Sequence, residues 1–293
     1  MQYRKACTGI GTQPDPLTGG RPRSIMIRVI HYCVLFLARR FQALGSRFYR
    51  VSDLFNGLLP ALFSPPELTK LLHRHYVRLY SDRFGIQAQY CTDFLERWEV
   101  EAFERYQITS GRMLVLGSGL GRESIAIARK GVNVVGVEAN PTAVQIAHQM
   151  ARTLEVPARF LRADFLQLPH NSESFDFVLL SQRMYSAIPG RSQRVSLLAD
   201  LRRLLKPSGL VILSFFTAQA VVPRLQTICR RLNGIIVRLP GANRAYQPGD
   251  ECNAEHFLHL FQDEEEIRTE LIGAGGLIQE LDWVRGFAVL TYS

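Results

Sequence analysis

The stretch from Arg112 to Glu138 constrains the fold more than any other part of the chain. RMLVL (Arg112–Leu116) is a short β-favouring apolar run that ends in Gly117-Ser118-Gly119-Leu120-Gly121. A helical pattern begins at once with Arg122 and stops at Gly131. NVVGV (Asn133–Val137) is a second buried strand, closed by Glu138. Asn140-Pro141 then supplies a cap and a first-turn proline for another helix, reaching to about Leu154. Short apolar strands alternating with helices imply an α/β fold around a parallel sheet.

The order strand, glycine turn, helix, strand, acid has a chemical reason. Glycines without Cβ let the chain turn sharply and bring backbone amides against a ligand. The N-terminus of the following helix favours polar ligand groups at the same edge. An acid at the tip of the second strand, about 20 residues on, accepts hydrogen bonds from ribose hydroxyls, and Glu138 stands there. A nicotinamide dinucleotide fingerprint asks for G-x-G-x-x-G. Counted from Gly117 its last position is Arg122, and counted from Gly119 it is Ser124, so that motif is incomplete in either frame.

VLGSGLGRES (Val115–Ser124) followed by VVGVEANP (Val134–Pro141) resembles the first two cofactor motifs of the class I S-adenosylmethionine-dependent methyltransferases. The likeness continues through ARFLRADFLQLP (Ala158–Pro169), FDFVLL (Phe175–Leu180) and LRRLLKPSGLVILSFF (Leu201–Phe216), and covers about residues 88–293. The resemblance implies a doubly wound, seven-stranded, mostly parallel sheet with an antiparallel last strand, Phe261–Gly276 being a last helix and Leu277–Tyr292 the antiparallel pair that closes the sheet. It implies S-adenosyl-L-methionine as the cofactor. Gly117, Ser118, Gly119 and Gly121 would shape the cofactor turn, with Glu138 and Ala139 at the ribose. Asp164 and Phe165 would meet adenine, and Ser181 follows the fourth strand. The family usually has an acid where this chain has Gly117, and a small residue where it has Glu123. That acid helps hold the methionine end, so Glu123 or another group has to compensate.

Composition excludes several classes. With 47% hydrophobic and 21% charged residues over 293 positions, the chain is an ordinary globule able to bury a full core. The net charge of +9 suggests an acidic partner until it is located. Residues 1–50 carry nine basic residues and one acid, whereas the remainder is nearly balanced. A main domain that tracks a nucleic-acid backbone would carry its own basic field, so no nucleic-acid partner is expected. The Asn/Asp-Pro-Pro-aromatic motif of enzymes that methylate base amines is also absent after the fourth strand. The five cysteines are scattered, with no Cys-x-x-Cys and no His-x-x-x-His, so no metal site is expected and a reducing, cytoplasmic setting is the simplest.

The domain reading has three parts: a basic leader with an apolar helix (1–50), a helical lid (51–110), and a catalytic domain (111–293) with an acceptor-side insert at about 217–256. Residues 1–24, rich in proline and glycine, suit an irregular tail. The run Ile25–Ala38 is too short to span a bilayer with confidence and is interrupted by Arg28 and His31. Several readings of this arm stand together: a cap helix packed on the main domain, peripheral membrane contact through residues 21–50, an organelle transit peptide, or a secretory signal with Ala43-Leu44-Gly45 as its small-residue site. Ser64-Pro65-Pro66-Glu67 marks a helix start, and a second helix is expected from about Gln87 to Tyr106.

The acceptor side is harder to read. In-line methyl transfer needs mainly alignment and exclusion of water, and needs a base only when the acceptor must lose a proton. The acceptor is expected to be a small molecule. Tyr185 and His256 are the candidate catalytic residues, with Arg183 beside the first and His259 beside the second. In the insert, Arg224, Arg230, Arg231, Arg238 and Arg244 either clamp an anionic group of the acceptor or form a solvated face. A nicotinamide oxidoreductase and a non-catalytic, methyltransferase-like binding protein are the competing readings.

Overall fold

The computed structural model describes residues 25–43, 49–82, 95–168, 174–218, 224–252 and 256–292. The leader 1–24, the small-residue site at 44–45 and the start of the helix expected from Gln87 lie outside the described residues. Four helices come first: α1 (Ile25–Ala43), α2 (Tyr49–Leu62), α3 (Pro65–Asp82) and α4 (Arg97–Arg105). The alternating part follows as β1 (Arg112–Leu116), α5 (Arg122–Ala128), β2 (Asn133–Glu138), α6 (Pro141–Thr153), β3 (Arg159–Arg162), β4 (Phe175–Leu180), α7 (Arg191–Leu204) and β5 (Leu205–Ser214). The chain closes with β6 (Phe216–Thr217), α8 (Arg224–Ile236), β7 (Asp250–Cys252), β8 (Phe257–Phe261), α9 (Glu264–Gly273), β9 (Leu277–Asp282) and β10 (Phe287–Thr291).

Seven strands form one sheet in the order β3-β2-β1-β4-β5-β10-β9, and β10 runs antiparallel to both of its neighbours. The remaining pairs are parallel, so the doubly wound expectation holds, with the antiparallel strand last in the chain and second from the edge. Alternation along β1 shows why both faces need helices. Met113 and Val115 pack with α4, α5 and α6, whereas Leu114 and Leu116 pack with α7 and α9. The strand order reverses between β1 and β4, and ligands in open α/β sheets bind at the strand carboxyl ends at such a point.

Local signals explain the helix starts. Ser64 caps α3: its amide and hydroxyl both donate to the Glu67 carboxylate, at 2.9 and 2.8 Å, and Pro65 takes the first position. Asn140 caps α6 by accepting from the amides of Thr142 and Ala143. Pro207-Ser208-Gly209 forms a kink inside the first residues of β5, where Ser208 has φ +64° and the register against β4 shifts.

The described residues of the insert are mostly regular structure. They contribute α8, packed on α2, and β7, which joins β8 and β6 in a small three-stranded sheet. α1 lies against α2 as well. Leu59 of α2, Leu68, Leu71 and Leu72 of α3, and Phe257 of β8 share one apolar cluster. α3 is thereby tied to the helical layer while it also packs against α6 of the main sheet.

Candidate functional site

A cavity of about 230 Å³ opens at the carboxyl ends of β1, β2, β3 and β4, with α3 along its rim. Its polar wall is Gly117, Glu138, Ala139, Asn140 and Asp164. Glu138 projects from the tip of β2, where Oε2 accepts from the Gly119 amide at 3.0 Å and Oε1 from the Asn140 amide at 2.8 Å. Burial pushes its pKa up, while the Asn140, Gly119 and Ala139 amides and the nearby His73 pull it back. The carboxylate is thus fixed in orientation by the glycine turn and by its own turn, and it still faces the cavity. Asp164 accepts from the Leu166 amide at 2.9 Å, capping the short 3-10 turn that presents Phe165 to the same cavity.

The glycines divide the work. Gly117 has φ +66°, and a Cβ there would sit 2.8 Å from Cε of Met184. The left-handed backbone favours glycine over an acid at this position, and the end of the Met184 side chain lies beside it. Gly121 has φ +90°, and a Cβ would meet the Phe160 ring at 2.8 Å and Ala147 at 3.2 Å. Gly121 therefore brings α5 down onto β3 and α6, and it does not line the cavity. Ser118 is buried, its amide bonded to Val137 O at 3.0 Å.

Ser181 and Glu123 belong to a second polar cluster. The Ser181 hydroxyl donates to Oε1 of Glu99, a fully buried residue of α4. Glu123 pairs with Arg122 at the start of α5, and Arg122 also lies 3.8 Å from Glu99. Burial, then the Glu123 charge, push the Glu99 carboxyl up to about 7, against the Ser181 hydroxyl, the Glu96 amide and Arg122. The sequence reading missed Glu99. Its signal was an acid on the apolar face that Leu95, Trp98 and Phe103 define. His73, Thr69 and Leu72 of α3 and Met184, Ile188 and Pro189 after β4 were also missed as cavity residues.

The expected catalytic pair is elsewhere. Tyr185 is fully buried and donates to Glu270 Oε1 at 2.7 Å, and burial holds its pKa well above the ordinary phenol value. Arg194 binds the same carboxylate through Nε at 2.7 Å and Nη2 at 3.0 Å, and donates to Ile188 O. Tyr185 is thus committed to the α7–α9 packing and does not line the cavity. His256 lies edge-on to His75, 5.5 Å between ring centres, and burial with that neighbour lowers its pKa to about 4. It too is outside the cavity wall. His259 is buried with Nδ1 2.8 Å from Asp250. The Arg183 guanidinium lies over the Phe216 ring and 3.8 Å from Glu96. Arg231, Arg238 and Arg244 are exposed, and none of the described residues of 217–256 lines this cavity.

With this geometry in place, comparison with known proteins is specific. The methyltransferase domain family matches residues 113–209, the segment that holds Gly117, Glu138, Asp164 and Ser181. The chain is 28% identical over 153 residues to a demethylmenaquinone methyltransferase of Tropheryma whipplei, covering 52% of this chain and 59% of that one. It is 31% identical over 101 residues to the cypemycin N-terminal methyltransferase of a Streptomyces, covering 34% and 40%. The chain thus spans less than two thirds of the length of these curated relatives. Among solved structures, the Burkholderia thailandensis 1,6-didemethyltoxoflavin-N1-methyltransferase superposes with a TM-score of 0.54 at 17% identity, covering 78% of this chain and 89% of that one. A Methanosarcina mazei S-adenosylmethionine-dependent methyltransferase gives 0.50 at 23% identity, covering 65% and 96%. These two likenesses concern the fold. Motif order, sheet topology and the family match together show that the chain carries a class I, S-adenosylmethionine-dependent methyltransferase domain.

Proposed function

We propose that the protein transfers a methyl group from S-adenosylmethionine to an O, N or C atom of a small molecule. The observation that carries this reading is Glu138, a carboxylate held by two backbone amides at the tip of β2 and turned to a cavity at the switch point. Such a group accepts from two ribose hydroxyls without moving. Asp164 and Phe165 would hold adenine, and the amides of the 117–121 turn would border the rest of the cofactor. Glu99, Arg122, Glu123 and Ser181 supply both charge signs for its zwitterionic methionine end, which accounts for a turn that lacks an acid at Gly117. The cofactor, when bound, supplies an electrophilic methyl group.

The chain's own part is to align and to keep dry. Met184, Ile188 and Pro189, with Leu72 from α3, give the cavity an apolar wall next to Gly117. His73 is the imidazole on that wall, placed to take a proton from an acceptor that has to lose one. A small-molecule acceptor is supported by the names of the demethylmenaquinone and didemethyltoxoflavin relatives, and the scattered cysteines favour the cytoplasm.

Calorimetric titration with S-adenosylhomocysteine, NADH and NADPH tests the reading. We expect S-adenosylhomocysteine alone to bind, and Glu138→Gln to weaken it by about 1.5–3 kcal/mol, the cost of losing hydrogen bonds to a charged group. Binding of a nicotinamide dinucleotide in its place would refute the proposal. Binding without turnover on any acceptor would move the reading to a binding protein.

A further inference from the structure

The helical layer outside the catalytic sheet has an unusual surface. α1 buries Ile27, His31 and Ala38, spaced for one helix face, and turns Val29, Tyr32 and Phe36 outward at 55%, 74% and 56% exposure. Arg39 and Arg40 are exposed on the same helix, the Arg40 guanidinium lying 5.1 Å from the centre of the Phe36 ring. α8 behaves alike. It seats Cys229 and Asn233 on α2, where the Asn233 amide donates to Gly57 O at 2.8 Å. Outward it presents Ile228, Leu232 and Ile235, continued by Leu239 in the next turn, with Arg231 and Arg238 between them. Gly241, just beyond, packs against Ile27 of α1, so the end of the α8 stripe lies at the start of α1.

Charge sharpens the picture. Residues 16–52 contain seven arginines and no acid, and residues 218–249 contain five arginines and no acid. Neither stretch contains an acid, and the fold sets the helix of each, α1 and α8, against α2. We propose that the outward faces of α1 and α8 form one docking surface for an anionic lipid bilayer. Apolar and aromatic side chains enter the boundary between headgroups and acyl chains, and the arginines pair with lipid phosphates. Among the described residues no helix is long and apolar enough to cross a membrane, so both helices lie along its surface.

Competing occupants fit the same residues less well. Two copies meeting through this face would set arginines against arginines, with no acid on α1 or α8 to answer them. A nucleic acid would use the arginines but leave the stripe of Ile228, Leu232 and Ile235 in water, since aliphatic side chains give bases no stacking platform. Docking here would bring α3, which follows α2 and borders the cavity, close to the bilayer. The inference stands apart from the identity of the methyl acceptor.

The test is co-flotation of the full chain with vesicles of phosphatidylcholine alone or with about 30% phosphatidylglycerol. Binding to the anionic vesicles is expected to exceed that to neutral ones by ~10-fold or more, and to fall as salt rises from about 0.1 to about 0.5 M. The triple variant Ile228→Ser, Leu232→Ser, Ile235→Ser and, separately, Arg39→Glu with Arg40→Glu should each reduce it by ~10-fold. All five side chains are exposed or at the helix surface, so the thermal midpoint and S-adenosylhomocysteine affinity should not change. Equal recovery with neutral and anionic vesicles, or no recovery with either, would overturn the proposal. A dimer that the triple variant splits, or a nucleic-acid complex in place of vesicle binding, would overturn it as well.

Discussion

Glu138 at the tip of β2 and Glu270 on α9 are both carboxylates drawn largely out of water, and they are used in opposite ways. At the cofactor edge Glu138 is held by two backbone amides, Asn140 of its own turn and Gly119 of the glycine turn, so it is oriented yet retains lone pairs toward a cavity. On the α7–α9 flank Glu270 is consumed: both oxygens bind Arg194, and Oε1 also accepts from Tyr185, with nothing left over for a ligand. A group held by the backbone is available for recognition, and one held by side chains from distant elements serves cohesion. Tyr185 looked catalytic from its place after β4, and it belongs to the second kind.

The largest effect should separate the two regions. Glu270→Ala leaves the Arg194 guanidinium fully buried without its counter-charge, and removal of one partner from such a pair costs about 3–5 kcal/mol. We expect that loss in urea unfolding, with S-adenosylhomocysteine affinity of the folded fraction nearly unchanged. Glu138→Gln should do the reverse, weakening affinity with little loss of stability. A Glu270 variant that keeps its stability but loses affinity would erase the distinction.

The same contrast explains what was legible in the sequence. Gly117 to Glu138, Asn140-Pro141 and Ser64-Pro65 act on neighbours a few residues away, so residue order carries their meaning. The sheet could be read because its strands are short, apolar and evenly punctuated. Arg194 and Glu270 are 76 residues apart, and Ser181 and Glu99 are 82 apart, so only the fold brings them together. The arginines of the insert could be counted but not aimed. The sequence left a clamp and a solvated face open, and the packing of α8 on α2 turns Arg231 outward. The reverse held at Gly117, where the odd residue was plain and its reason, a left-handed backbone, was not.

Glu99 lies between the two kinds, buried like Glu270 but next to the cofactor turn. Its carboxyl, pushed up to about 7 by burial and Glu123, releases its proton near 4.5 in the unfolded chain. Between these pH values the native state holds a proton that the unfolded state has given up. This contribution is complete below about pH 4.5 and is lost as pH rises through about 7, in all about 3 kcal/mol. Glu99→Gln removes the titrating group, so relative to the wild type it should gain about that much stability between about pH 5 and about pH 8. Urea unfolding of both proteins across this range measures the difference directly. Parallel stability curves would mean that Glu99 keeps one charge state throughout and belongs with Glu270.

The smallest effect probes the cofactor edge itself. At Gly117 a Cβ meets only the end of a flexible methionine, so the contact can relax, and the cost that remains is the left-handed backbone, about 1–2 kcal/mol. Gly117→Ala should lose about that much, and adding Met184→Ala should recover little of it, because the strain is in φ rather than in the contact. At Gly121 the added Cβ meets the Phe160 ring and Ala147 inside the core, so Gly121→Ala should cost more than Gly117→Ala. Thermal unfolding of the three variants settles the order. If Met184→Ala restored full stability to Gly117→Ala, the methionine and not the backbone would be what requires glycine there, and the turn would be free to accept a side chain once that cover is removed.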